Sequence, residues 1–352
     1  MAAVAGPVDP AGVDRAIRQP GARSPFRQAL AKVRRSRAAL ASGTLLALIM
    51  LVCACAPLYA SQISHTDPFS ANLSGTTSID GRDAPVIQQG TGPLKLGETP
   101  IGPTWQANYL LGADQLGRDV AARVLYGGRN SLLIGLSSAL LCALIGTLIA
   151  LIAGVIGGVV DSLIARALDV IWAFPVYLLA ICAATVLITS GLRIGPFTVH
   201  SSGNLLPTLI IAVIYLPYIA RPVRGQVLSV KEREYVEAAI AYGASRRRLI
   251  FSEILPNVLP TVIVLLPLLA AATIITESAL SFLSIGVQPP QASWGTVIAD
   301  GQQLLYTRPA IGIAAGSMLA LTVLALVVLG DELRSALEPR ARRQPRRRKT
   351  RR

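Results

Sequence analysis

The chain has 352 residues, 52% hydrophobic and only 15% charged, with a formal charge of +14 and a positive mean hydropathy. That balance excludes an ordinary water-soluble enzyme and points to an integral membrane protein. The cations gather at the two ends and around residues 221–257, so they read as membrane-topology signals, with no specific nucleic-acid partner.

Residues 1–39 form a basic N-terminal segment, with eight Lys or Arg between Arg15 and Arg37. A span needs ~20 mostly apolar residues to cross a hydrocarbon core of ~30 Å. Six stretches meet that demand: 40–60, 131–157, 166–191, 205–220, 258–285 and 310–330. The first, with its "VCACAP", resembles a signal peptide carrying a lipid-attachment cysteine. Its long basic leader and the five spans that follow favour a retained helix. The expected class is therefore an all-α integral membrane protein with six transmembrane helices. Cys53, Cys55, Cys142 and Cys182 all lie in apolar runs, as small buried hydrophobes rather than as a disulfide or metal framework.

Residues 61–130 read as an external loop. The part to 108 is rich in Gly, Pro, Ser and Thr, with room for short strands. "LLGADQLGRDVAARVLYGGRNSL" then puts Val120, Val124 and Leu125 on one face and Arg118, Asp119 and Arg123 near the other. This predicts a short amphipathic helix lying at the outer surface before the second span. His65 and His200 fall in separate external loops and make no catalytic set.

Residues 131–330 are read as a five-helix core that includes the loop 221–257. That loop carries Arg221, Arg224, Lys231, Arg233, Arg246, Arg247 and Arg248, whereas 286–309 carries only Arg308. Cytoplasmic loops retain Lys and Arg. Together with six spans, the charges put both termini and the 221–257 loop in the cytoplasm. Asp169 and Arg166 read as interfacial anchors or a local ion pair. Glu277 lies inside an apolar run, where a charge costs roughly 2.5–3.5 kcal/mol unless paired or wet. It is expected to bond between helices or else to line a pathway.

Within the loop, "EYVEAAIAYGASRRRLIFSEILPN" favours helix through Ala238, Ala239 and Ala241. Gly243 interrupts it, and Pro256 is expected to end the second arm. Small residues at the turn let another surface approach closely, and the flanking charges supply a polar rim. A docking element would be made in this way. The tail, 331–352, ends in "RARRQPRRRKTRR" and reads as a basic cytoplasmic anchor that could touch anionic lipid.

Glu237, Ala238 and Ala239, with Gly243, Ala244, Leu255 and Pro256, resemble the EAA loop of bacterial ABC importer permeases. Further stretches are similar to the second permease subunit of the dipeptide and oligopeptide branch. These are "LLGADQLGRDVAARVLYGGRNSL", "GGVVDSLIARALDVIWAFP", "ESALSFLSIGVQPPQASWG" and "LGDELRSALEPR", which with the hairpin cover most of 105–340. The chain departs from the family pattern at Glu253, where an aliphatic residue is common, at Ser284, where Gly is usual, and at Ser335 and Glu338, which stand for Asp.

The resemblance implies a type I ABC importer permease fold in a bacterial inner membrane, with the hairpin as the ATPase-coupling element. It implies a second homologous permease subunit, ATP-binding subunits and an external peptide-binding protein as partners. The chain has no glycine-rich loop ending in Gly-Lys-Ser/Thr, so no cofactor is expected on it, and ATP and Mg would sit on the ATPase subunits. Two other readings stand beside di- or oligopeptide import. One is an ion-coupled secondary carrier, and the other is an ABC permease for a solute such as a nickel chelate or glutathione.

Overall fold

A computed structural model describes residues 31–79, 82–89, 97–190, 192–194, 197–199 and 203–337, and no side chain between 188 and 202. The basic leader to residue 30 and the polyarginine tail lie outside the described residues. Helix α1 spans Arg37–Ala54, its first turn capped by the Ser36 hydroxyl. The segment after α1 forms two small antiparallel hairpins, β1 (Thr76–Ile79) with β2 (Arg82–Pro85), and β3 (Ile87–Gln89) with β4 (Glu98–Pro100). Val86, Ile101, Tyr109 and Ala113 make a small apolar core beneath them.

Helix α2 runs without a break over Val120–Ile156. This corrects the expectation of a separate surface helix before the second span. Asp119 caps α2 through the Ala121 and Ala122 N–H groups, and Arg123 is buried. The charged face is thus turned inward, because acids on neighbouring elements neutralise it.

Helices α3 (Gly158–Ala173) and α4 (Val176–Ser190) follow. The third apolar stretch is consequently not one straight helix: α3 and α4 meet at 93°. Phe174 is extended there, as the residue before a proline tends to be. Beyond α4, β5 (Leu192–Ile194) pairs with β6 (Phe197–Val199). Helices α5 (Leu205–Ile214) and α6 (Leu216–Lys231) form a second bent pair, at 44°, where Pro217 withholds an N–H.

Helix α7 covers Glu234–Ala241, and α8 runs from Arg246 to Phe282. Pro256 was expected to end the second arm and does not. A π-turn over Leu249–Ile254 shifts the hydrogen-bond register just before it, so its missing N–H falls where a fresh helical segment begins. Helices α9 (Trp294–Gln302) and α10 (Ala310–Leu337) complete the described chain. Among the described residues four helices are long and apolar enough to cross a membrane, and up to six spans result if each bent pair counts as one.

Helix α2 is the axis of the bundle, packed along α6 and α8. Small residues permit this approach. A Cβ on Gly135 would stand 2.2 Å from Ile274 Cγ1, and one on Gly154 would stand 2.4 Å from Val227 Cγ1. The Lys32 ammonium donates to the Ser335 carbonyl, so the two ends of the described chain meet.

Candidate functional site

Two helical arms and a tight turn build the hairpin. Helix α7 ends at Ala241 with Tyr242 as its C-cap, after which Gly243 takes φ 76° and its N–H donates to the Ile240 carbonyl at 2.9 Å. The Ala244 N–H donates to the Ala239 carbonyl at 3.0 Å, and the Ser245 hydroxyl caps the next arm at Arg248. Only a residue that adopts the left-handed region without a Cβ penalty closes the turn cheaply.

The arms divide their faces. Val236, Leu249 and Ile254 are buried against the bundle, whereas Tyr235, Ile240, Tyr242 and Phe251 are exposed. Glu237, Ala238, Gly243 and Pro256 lie on the exposed side, with Ala239, Ala244 and Leu255 half-buried. All seven expected hairpin residues therefore lie along one turn and its two arms. An exposed apolar strip bordered by Glu237 and the arginines 246–248 has the make-up of a surface that another protein covers.

The base of the hairpin is tied to the bundle by cations on α6. The Lys231 ammonium donates to the carbonyls of Gly154 and Val155 at 3.3 and 3.1 Å. It thereby closes the C-terminal end of α2, where a positive charge is favoured. Arg224 grips Asp161 of α3 with two nitrogens, and Arg221 meets Asp169 at 2.6 Å. Asp169 is thus half of an ion pair, but its partner is Arg221 and not the sequence neighbour Arg166. These three contacts join the hairpin's root to both α2 and α3, while its other arm continues directly into α8.

Glu277 is buried at 1% exposure within α8. The hydroxyls of Ser281 and Ser278 donate to its two carboxyl oxygens at 2.7 and 3.2 Å. Ser281 also accepts from the Val287 N–H at 2.9 Å, and the Trp294 N–H donates to the Ser131 hydroxyl at 3.1 Å. Ser131 and Ser293 face the carboxyl as well. Glu277 therefore lies among serines of α2, α8 and the approach to α9, with no cation beside it among the described residues. Ser284 stands just past the end of α8 at φ 60°, a conformation in which glycine is at ease.

On the opposite end of α2 lies a charge cluster that reading the sequence did not assemble. Arg118 Nε reaches Asp114 at 2.7 Å, Arg123 Nε reaches the same carboxylate at 3.1 Å, and Arg123 Nη2 reaches Asp300 of α9 at 2.8 Å. Burial raises the Asp300 carboxyl above the ordinary aspartate range against the pull of Arg123. Burial also raises Asp119, even though it accepts bonds from Ala121, Ala122, Tyr109 and Thr66. The network clamps the loop between α1 and α2 onto α2 and α9. Nothing in sequence spacing distinguishes it from a solvated helix face. Among the described residues no group of acids, cysteines and histidines could hold a metal ion, and the four cysteines are free.

A bundle of apolar, partly broken helices that carries a polar hairpin rooted in two of them is the build of a multi-pass membrane protein. Comparison with known proteins agrees. Residues 146–343 match the family described as "Binding-protein-dependent transport system inner membrane component", and residues 24–75 match "N-terminal TM domain of oligopeptide transport permease C". The chain is 40% identical over 252 residues to a probable peptide ABC transporter permease protein, y4tQ, of Sinorhizobium fredii, covering 72% of this chain and 80% of that one. It is 34% identical over 242 residues to the di/tripeptide transport system permease protein DppC of Pseudomonas aeruginosa, covering 68% and 76%. It is 39% identical over 239 residues to the glutathione transport system permease protein GsiD of Salmonella paratyphi A, covering 68% and 74%. This chain belongs to the binding-protein-dependent transport system inner membrane component family, and it is a multi-pass membrane protein.

Proposed function

We propose that this chain is the second-type permease subunit of an ATP-driven importer of di- or oligopeptides in a bacterial inner membrane. The observation that carries the reading is the hairpin between α6 and α8, with an exposed apolar strip on a basic rim and a root fixed to α2 and α3. The similarity to permeases named for peptides selects the cargo class. In this reading residues 221–257 are the cytoplasmic coupling loop. Glu237, Ala238, Ala239, Gly243, Ala244, Leu255 and Pro256 line the turn and arms that enter a groove on an ATP-binding subunit.

ATP and Mg are held by those subunits, and hydrolysis happens there. A second homologous permease supplies the other half of the pathway, and an external binding protein delivers peptide to the layer formed by 61–130 and 286–309. ATP binding favours one arrangement of the ATPase pair over the other, and a population shift of that kind moves whatever is docked in the groove. The hairpin passes the movement to α8 directly and to α2 and α3 through Lys231, Arg224 and Arg221. The spans then rock as rigid bodies. Both termini lie in the cytoplasm. This side follows from the basic ends, with support from the Lys32–Ser335 contact that brings them together. Residues 1–39 and 331–352 are the basic cytoplasmic ends, 61–130 is the external layer, and 131–330 is the transporting core.

A glutathione cargo has one observation in its favour, the 39% identity to a permease named for glutathione. Purification of a tagged copy in mild detergent, with mass spectrometry of the co-purifying chains, tests the assembly. A second permease and P-loop ATPases are expected. Uptake of dialanine that needs ATP and a binding protein supports the cargo class. Uptake by the isolated chain driven by an ion gradient would refute the reading in favour of a secondary carrier.

A further inference from the structure

The two helix breaks of the core face one another. Between them lies a cavity of about 390 Å³ lined by Trp172, Phe174, Pro175, Ile214, Tyr215 and Tyr218, within the size range of small-molecule sites, roughly 300–1,000 Å³. Trp172 and Tyr218 are near-parallel with ring centroids 6.0 Å apart, and Tyr215 meets Tyr218 edge-on at the same separation. The Tyr215 hydroxyl is bonded to Thr276 of α8 at 2.9 Å, so the back wall is fixed to the bundle core.

The mouth is charged. Arg221 lies 5.0 Å over the Trp172 ring and pairs with Asp169 at 2.6 Å, and both ion-pair side chains remain accessible at 40% and 58%. The site thus joins an aromatic cavity, a cation and an anion within one opening. A lipid acyl chain or an apolar helix of another subunit would use the apolar wall alone. A short peptide with an apolar side chain and two charged ends complements the cavity, the cation and the anion together.

We propose that this cavity is a side-chain subsite on the transport path, which receives a large apolar or aromatic side chain of a passing peptide while Arg221 and Asp169 face its charged ends. The inference rests on the peptide reading above and deepens it. This permease would then contribute to cargo selectivity in addition to whatever the binding protein contributes. Trp172, Phe174, Tyr215 and Tyr218 are its specificity-determining residues.

The test uses the complete transporter in proteoliposomes with saturating binding protein, comparing uptake of dialanine and alanyl-phenylalanine. Trp172→Ala should lower alanyl-phenylalanine uptake on the order of tenfold, the discrimination a few apolar groups provide in a pocket, while dialanine changes less than twofold. Trp172→Phe, which keeps a ring, should restore most of the ratio. Tyr218→Leu gives a second reading should Trp172→Ala fail to assemble. Equal loss for both dipeptides, as expected of a lipid-filled or subunit-filled cavity, or no change in either, would overturn the subsite while leaving the peptide reading intact. Failure of the unsubstituted transporter to carry either dipeptide would instead remove the peptide reading, and the subsite with it.

Discussion

Substituting Gly243 separates the backbone demand of the hairpin from its docking. The residue sits at φ 76°, and a Cβ added there would meet nothing within 4 Å. Within this chain the only penalty for Gly243→Ala is therefore conformational, about 1–2 kcal/mol for an L-residue in the left-handed region. At ~1.4 kcal/mol per factor of ten, that reduces the population of the closed turn about five- to thirtyfold relative to alternatives. Asn tolerates this region, so Gly243→Asn should cost well under half as much. Gly243→Trp should cost this chain no more than Ala does, because the space is open; any further loss of coupling belongs to the surface docked against the turn. The assay is ATP hydrolysis stimulated by binding protein and peptide in proteoliposomes, beside thermal unfolding in detergent. The expected order of retained stimulation is Gly, Asn, Ala, Trp. Equal impairment by Asn and Ala would refute the backbone argument, and a Trp variant that couples as well as Ala would refute close docking at the turn.

At Glu277, Gln keeps one of the two oxygens that accept from the Ser281 and Ser278 hydroxyls, whereas Leu removes both. Glu277→Leu should lower stability by about 2 kcal/mol and Glu277→Gln by clearly less; equal thermal shifts in detergent would count against the anchoring role. Asp119→Ala should cost about 2 kcal/mol, since it uncaps α2 and strands the Tyr109 N–H. The pKa of Asp119 is raised by burial, so folding takes up a proton. The cost of its charge is present above the folded pKa and is relieved as the pH falls through it, in the window above ~3.9. Unfolding measured from pH 7 to pH 4 should accordingly show the wild type gaining on Asp119→Asn as the pH drops, and parallel curves would contradict this. At the end of α8, Ser284→Gly relieves left-handed strain and should raise the unfolding midpoint by the equivalent of about 0.5 kcal/mol; a lower midpoint would show that the Ser284 side chain holds something the backbone angle does not reveal.

The class of the molecule was legible in the sequence because hydropathy acts residue by residue: a run of about twenty apolar side chains dictates a helix in lipid whatever its neighbours are. The hairpin was legible for a similar reason, since the Gly243 turn and the alanines before it are local signals. Sequence reading could not decide which way Arg118, Asp119 and Arg123 face. An amphipathic pattern marks two sides of a helix, and only the arrival of Asp114 and Asp300 made the charged side the inner one. Nor could it decide that Pro256 continues a helix, which depends on the π-turn before it, or that Asp169 belongs to Arg221, 52 residues away. The aromatic cavity is the clearest case. Trp172, Phe174, Tyr215 and Tyr218 lie in two apolar runs where nothing in their spacing relates them. They meet because two helices break at the same level of the bundle, and a break's position relative to another helix is fixed by packing, which no local pattern encodes.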